Sequence, residues 1–123
     1  MRRAAGVICL LALCSCGGSP ASPSGGGSAA TVTLTASGLS TTQLNISPGT
    51  RVLFVNNDTR SHNMTSDPHP EHNECPEINA VGLLQPGQSR ETGNMNTVRS
   101  CGFHDHDDPP PGGSRWVGRI TVR

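Results

Sequence analysis

The chain predicts an all-β domain, a sandwich of about seven short strands, and three observations carry that expectation. Runs rich in Val, Ile and Thr alternate polar with apolar residues, the period of a strand with one buried face. Two Pro-Gly pairs, Pro48-Gly49 and Pro86-Gly87, stand between such runs in the order that turns prefer. No stretch beyond the N-terminal leader carries a sustained helical period.

The leader comes first. Met1-Arg2-Arg3 is a basic start, Val7 to Leu13 is a brief apolar run, and Cys14-Ser15-Cys16-Gly17-Gly18 follows. This is the layout of a secretory signal, too short to span a bilayer as a helix. Leu13-Cys14-Ser15-Cys16 resembles the bacterial lipobox, with an aliphatic residue three before the cysteine and a small one just before it. The expectation is a lipoprotein signal over residues 1–16 with Cys16 as the lipidated residue, which implies attachment to a membrane in the bacterial cell envelope. Residues 17–30 contain only Gly, Ser, Pro and Ala, so they have nothing to bury and form a tether. Residues 31–123 remain as one small domain.

Within that domain, Thr31 to Ala36 and Thr42 to Ile46 alternate as half-buried strands, and Arg51 to Val55 is a continuous run suited to a central one. Residues 63–86 hold Pro68, Pro70, Pro76 and Pro86 and no sustained period. They read as a long excursion with one helical turn near Pro70 to Cys75. Ser89 to Thr92 and Thr97 to Phe103 supply two further strands. Asp107 to Ser114 is a Pro- and Gly-rich loop, and Trp116 to Val122 closes the chain as a strand with Trp116, Ile120 and Val122 on one face. Phe54, Phe103 and Trp116 are the only aromatic residues, so a core this small rests on aliphatics and benefits from a staple.

Cysteine usage supplies a candidate. Cys9 and Cys14 leave with the signal and Cys16 takes lipid, which leaves Cys75 and Cys101 as an even pair in an oxidising compartment. Charge excludes one class of partner. The chain has no lysine and nothing that resembles a basic nucleic-acid footprint. No Gly-rich phosphate loop, Ser-His-Asp arrangement or recognisable carboxylate pair is present, so a non-enzymatic binding protein is expected.

The chemistry-bearing residues are histidines. All five, His62, His69, His72, His104 and His106, fall between positions 62 and 106. Imidazoles gathered in a small secreted β domain point to a transition metal, with copper the leading candidate. His62 follows a predicted central strand. His104 and His106 are two apart, so in an extended strand both face one side. Asp105, Asp107 and Asp108 could orient the rings or add a favourable field. His69 and His72 lie in the Pro-rich excursion, where they would complete the site or pass metal inward. Met64 and Met95 are isolated and read as packing.

Three segments resemble the cupredoxins, the small Greek-key copper proteins related to plastocyanin. They are Pro48-Gly49 followed by Phe54-x-Asn56-x-Asp58-x-x-x-His62, then Leu84-Gln85-Pro86-Gly87, then Trp116-Val117-Gly118-Arg119-Ile120-Thr121-Val122. Together they span nearly all of residues 31–123 and imply a Greek-key sandwich. The resemblance leaves two copper chemistries open. Cys101-Gly102-Phe103-His104 has the spacing of a blue-copper ligand loop and with His62 would supply a thiolate site for electron transfer. However, Trp116 stands where that loop would place its methionine.

The other reading follows from Ser66-Asp67-Pro68-His69-Pro70-Glu71-His72 and His104-Asp105-His106, which are similar to a further group of cupredoxins. It implies a Cys75–Cys101 disulfide and an all-histidine copper site of His62, His104 and His106, with His69 and His72 in support. Such a protein would hold or pass copper to an unknown protein partner. A metal-free sandwich for adhesion or assembly is the remaining alternative.

Overall fold

The computed structural model describes residues 30–111 and 114–123. The expected signal peptide, Cys16 and nearly all of the tether lie outside the described residues.

Two sheets pack face to face. The strands are β1 (Ala30–Thr35), β2 (Gly38–Leu39), β3 (Gln43–Ile46), β4 (Val52–Asn56), β5 (His62–Ser66), β6 (Gly82–Leu84), β7 (Ser89–Glu91), β8 (Ser100–Asp105) and β9 (Gly118–Val122). One sheet runs β2-β1-β4-β7 and the other β3-β9-β8-β5-β6. Both Pro-Gly turns form as expected. Gly49 takes φ 86° while Thr50 N–H donates to the Ser47 carbonyl at 3.2 Å. Gly87 takes φ 81° with Gln88 N–H on Gln85 O at 3.0 Å, so glycine stands in each case where the turn demands a left-handed residue.

Alternation decides which side chains meet between the sheets. Val32, Leu34, Val52 and Phe54 point inward from one, and Met64, Leu84, Phe103, Ile120 and Val122 from the other. Phe54 and Phe103 join the layers edge to face, with ring centroids 5.2 Å apart at 86°. Each such side chain, fully buried, stabilises the fold by about 1.5–3 kcal/mol. Gly118 lies opposite Phe103 in the β8–β9 ladder, and a Cβ there would strike the phenyl ring. Cys75 and Cys101 are joined by a disulfide with Cα atoms 5.7 Å apart, both fully buried.

The excursion after residue 62 holds more order than its sequence promised. Nine strands form among the described residues; β2, β5 and β6 are the ones that the sequence did not mark, and β5 and β6 both fall in that stretch. His62, Met64 and Ser66 face inward and Asn63 and Thr65 outward, a strand alternation that the polar inward residues hide. The helical turn is a 3-10 turn at Pro76–Ala80, beyond Cys75 rather than before it. Trp116 belongs to a second 3-10 turn, Ser114–Trp116, just ahead of the closing strand.

Candidate metal centre

The register of β5 against β8 builds the site. Met64 pairs with Asp105, Thr65 with His104 and Ser66 with Phe103, and paired side chains share a face. Phe103 and Asp105 therefore turn inward, while His104, flanked by Gly102 and His106, turns to the opposite face of the sheet. Backbone bonds continue the ladder at both ends: His106 N–H donates to Asn63 O at 2.7 Å, and Asp67 N–H to Gly102 O at 3.0 Å. Asp67 thus stands over Gly102, where a Cβ would collide with its carboxylate.

Residues 67–75 fold back across this outer face. Glu74 N–H returns to Asp67 O at 2.8 Å, and the Glu74 carboxylate accepts Gly102 N–H at 2.7 Å. Asn79 clamps the fold-back from below, accepting Ser66 N–H and donating to His72 O. Ser66 Oγ accepts Cys75 N–H at 2.8 Å, and the disulfide then ties Cys75 to β8. His72 sits at φ 52°, a backbone state that non-glycine residues seldom adopt and that recurs at functional sites.

The result is a cluster of four imidazoles. His69, His72, His104 and His106 each offer a nitrogen, and these four atoms lie within 4.8 Å of one another. Ligands on opposite sides of a metal at ~2.0 Å stand about 4 Å apart, so small rotations of the rings would close the group on one ion. Hydrogen bonds set which nitrogen each ring can offer. His104 donates Nδ1–H to Asp67 at 2.6 Å, and its Nε2 is buried with no hydrogen-bond partner among the described residues. A buried, unpartnered lone pair is costly, and a metal ion would relieve it. His72 donates Nδ1–H to the Ser66 carbonyl at 2.8 Å, which leaves Nε2 to accept from His106 Nδ1–H at 2.9 Å. His69 is exposed, and its pKa lies below the ordinary 6.5. Loss of hydration is the main cause, and the neighbouring rings of His106, His104 and His72 add to it.

The sheet divides the expected trio. His104 and His106 come together, joined by His69 and His72, but His62 faces the other side of β5 with Met64. Its ring is fully buried, and both nitrogens are engaged: Nδ1 lies 2.7 Å from the Asp105 carboxylate and Nε2 3.0 Å from that of Asp58. Trp116 packs on it with centroids 4.8 Å apart, and the Arg60 guanidinium lies over the indole. His62 is therefore built into a buried polar assembly apart from the cluster. Burial alone would raise the Asp58 carboxyl. The hydrogen bond from His62, the Thr59 N–H and the charges of His62 and Arg60 outweigh that and hold it below its usual value.

The thiolate alternative is also corrected. The Cys101 sulfur is bonded to Cys75 and has no lone thiolate to give a metal, while the Trp116 indole N–H is donated to Thr35 O. Asp67 and Gly102 stand inside segments that carry the resemblance, but their roles and that of Asn79 could not be read from the sequence, because they depend on which strand lies opposite.

No protein-family model matches the chain, and no curated protein matches it. Solved structures do. A purple cupredoxin from Nitrosopumilus maritimus superposes with a TM-score of 0.58 at 21% identity, covering 76% of this chain and 99% of that one. An oxidised amicyanin variant gives 0.61 at 15% identity, covering 81% and 87%. A Cu(I) amicyanin variant gives 0.59 at 15%, with the same coverage of 81% and 87%. The fold is cupredoxin-like. On this cupredoxin-like sandwich the histidine cluster occupies an outer sheet face under the fold-back of residues 67–75, and a metal ion is the ligand its donor set fits.

Proposed function

We propose that the protein binds copper through His69, His72, His104 and His106 and holds it or passes it on, in place of the expected set centred on His62. The observation that carries this reading is the buried His104 Nε2, which lacks a partner while three further imidazoles converge on the same space. Imidazole donors suit copper, nickel and zinc, and Cu(II) heads the affinity order of the divalent ions. The likeness to copper-containing cupredoxin structures adds support. Bound there, copper would be a type-2-like Cu(II) ion with nitrogen ligands. Asp67 and the Ser66 carbonyl would hold the rings in place. For the His72 and His106 nitrogens that now share a proton both to face the ion, that proton would move to the other nitrogen of His106, a change of tautomer that leaves the ring neutral. We place the protein in the bacterial envelope, anchored through lipid on Cys16, with a partner protein giving or receiving the metal.

Titration with Cu(II), followed by visible and electron paramagnetic resonance spectra, tests the proposal. One equivalent should bind with a faint d–d band and nitrogen hyperfine structure. An intense thiolate charge-transfer band, or the same binding after His104→Ala, would refute it.

A further inference from the structure

The four imidazoles are not held alike. His104 is buried and tied to Asp67 at 2.6 Å. His72 is half-buried and tied to the Ser66 carbonyl at 2.8 Å, with its backbone fixed by the Asn79 amide and by a bond to Pro68 O at 2.7 Å. His106 is half-buried, with its ring on His72 and its backbone N–H on Asn63. His69 differs on every count. Its side chain is exposed, and among the described residues neither ring nitrogen makes a hydrogen bond. Its contacts are the other three rings, at centroid distances of 5.3, 5.6 and 5.1 Å. The chain around it is pinned, because the bonds from His72 to Pro68 and from Glu74 to Asp67 close the loop at its base. His69 is thus the outward tip of an anchored loop, with a ring free to change rotamer on the fast timescale of exposed side chains.

We propose that His69 is the exchange ligand of the centre. It closes on copper last and leaves first, and its departure opens a position to a donor group of an incoming acceptor. The other three histidines form the fixed platform, with His104 its anchor. This division rests on the four-histidine reading above and gives it a direction: metal enters and leaves from the His69 side. The buried side, beneath His104, is closed by Asp67 and by the sheet itself. A centre meant to keep its metal would orient all its ligands. One that leaves its most exposed ligand untethered is arranged for transfer.

Copper(II) exchange from the full chain to excess EDTA tests this, with equilibrium affinity and electron paramagnetic resonance measured on the same samples. His69→Ala should still bind one Cu(II), with one nitrogen fewer in the hyperfine pattern. It should lose no more than the ~10–100-fold in affinity typical of an outer-sphere substitution, and it should surrender copper faster than the parent. His104→Ala and the bulkier His104→Gln should each lose more affinity than that. A melting curve on each variant separates loss of a ligand from loss of the fold. If His69→Ala loses as much affinity as the His104 variants, or exchanges at the parental rate, the inference is overturned while copper binding stands. A parent chain that binds no Cu(II) overturns both.

Discussion

A methyl group at position 102 should disable the histidine cluster without touching a histidine. Gly102 faces the outer side of β8 directly opposite Asp67, and the new Cβ of Gly102→Ala would lie inside the space of that carboxylate. Asp67 cannot simply swing away, because its backbone is paired to Gly102 O and to Glu74 N–H. Overpacking of this kind typically costs 1–3 kcal/mol, so about 2 kcal/mol is expected here. The displaced carboxylate also releases His104 Nδ1, held at 2.6 Å. Loss of such an orienting partner lowers metal affinity by about 10–100-fold. The assay is a double-mutant cycle with Asp67→Ala, reading urea stability and Cu(II) affinity together. Gly102→Ala should be costly alone and nearly free in the Asp67→Ala background, and the double variant should bind copper no worse than Asp67→Ala. Additive effects on both readouts, or parental affinity in Gly102→Ala, would refute the reasoning.

Three further outcomes are expected. Cys75→Ser should lose about 3.5 kcal/mol by the chain-entropy relation for this loop, and the melting temperature should fall by roughly 14–28 °C for a domain of this size; intact-mass measurement before and after reduction verifies the bond, and a fall of only a degree or two would contradict its role. Asp58 has a folded pKa below its ordinary 3.8, so its contribution is complete above that value and is lost as pH falls through the lower folded one. Asp58→Asn should accordingly flatten the acid limb of a stability-against-pH curve below about pH 4, and an unchanged limb would count against the assignment. Cys16→Ala should move the protein from the membrane to the soluble envelope fraction, and a variant that stays with membranes would exclude that anchor.

What the sequence disclosed and what it withheld divide along local and non-local lines. Pro48-Gly49 and Pro86-Gly87 were legible because a turn is decided by its own four residues. The shared face of His104 and His106 was legible because alternation is a property of one strand. The separation of His62 from them was not, since it depends on the register of β5 against β8, which no local pattern fixes. β5 itself was hidden because its inward positions are His62, Met64 and Ser66, and His62 and Ser66 there satisfy buried polar partners instead of filling a core. The Cys75–Cys101 pair was reachable by elimination. The work done by Asp67 and Asn79 appears only once the fold-back of residues 67–75 is in place.

Strand β8 places two unlike assemblies one residue apart. His104 and His106 serve the outer cluster, and Asp105 between them serves His62 on the inner side. Because side chains alternate, gain or loss of a single residue between Cys101 and His106 would exchange the two sets, sending imidazoles toward the core and a carboxylate into the cluster. A substitution in β8 disturbs one assembly or the other, but a change in its length would disturb both at once. Among relatives that share this chemistry, the spacing from the disulfide cysteine to the second histidine should therefore be invariant even where the residues between them differ.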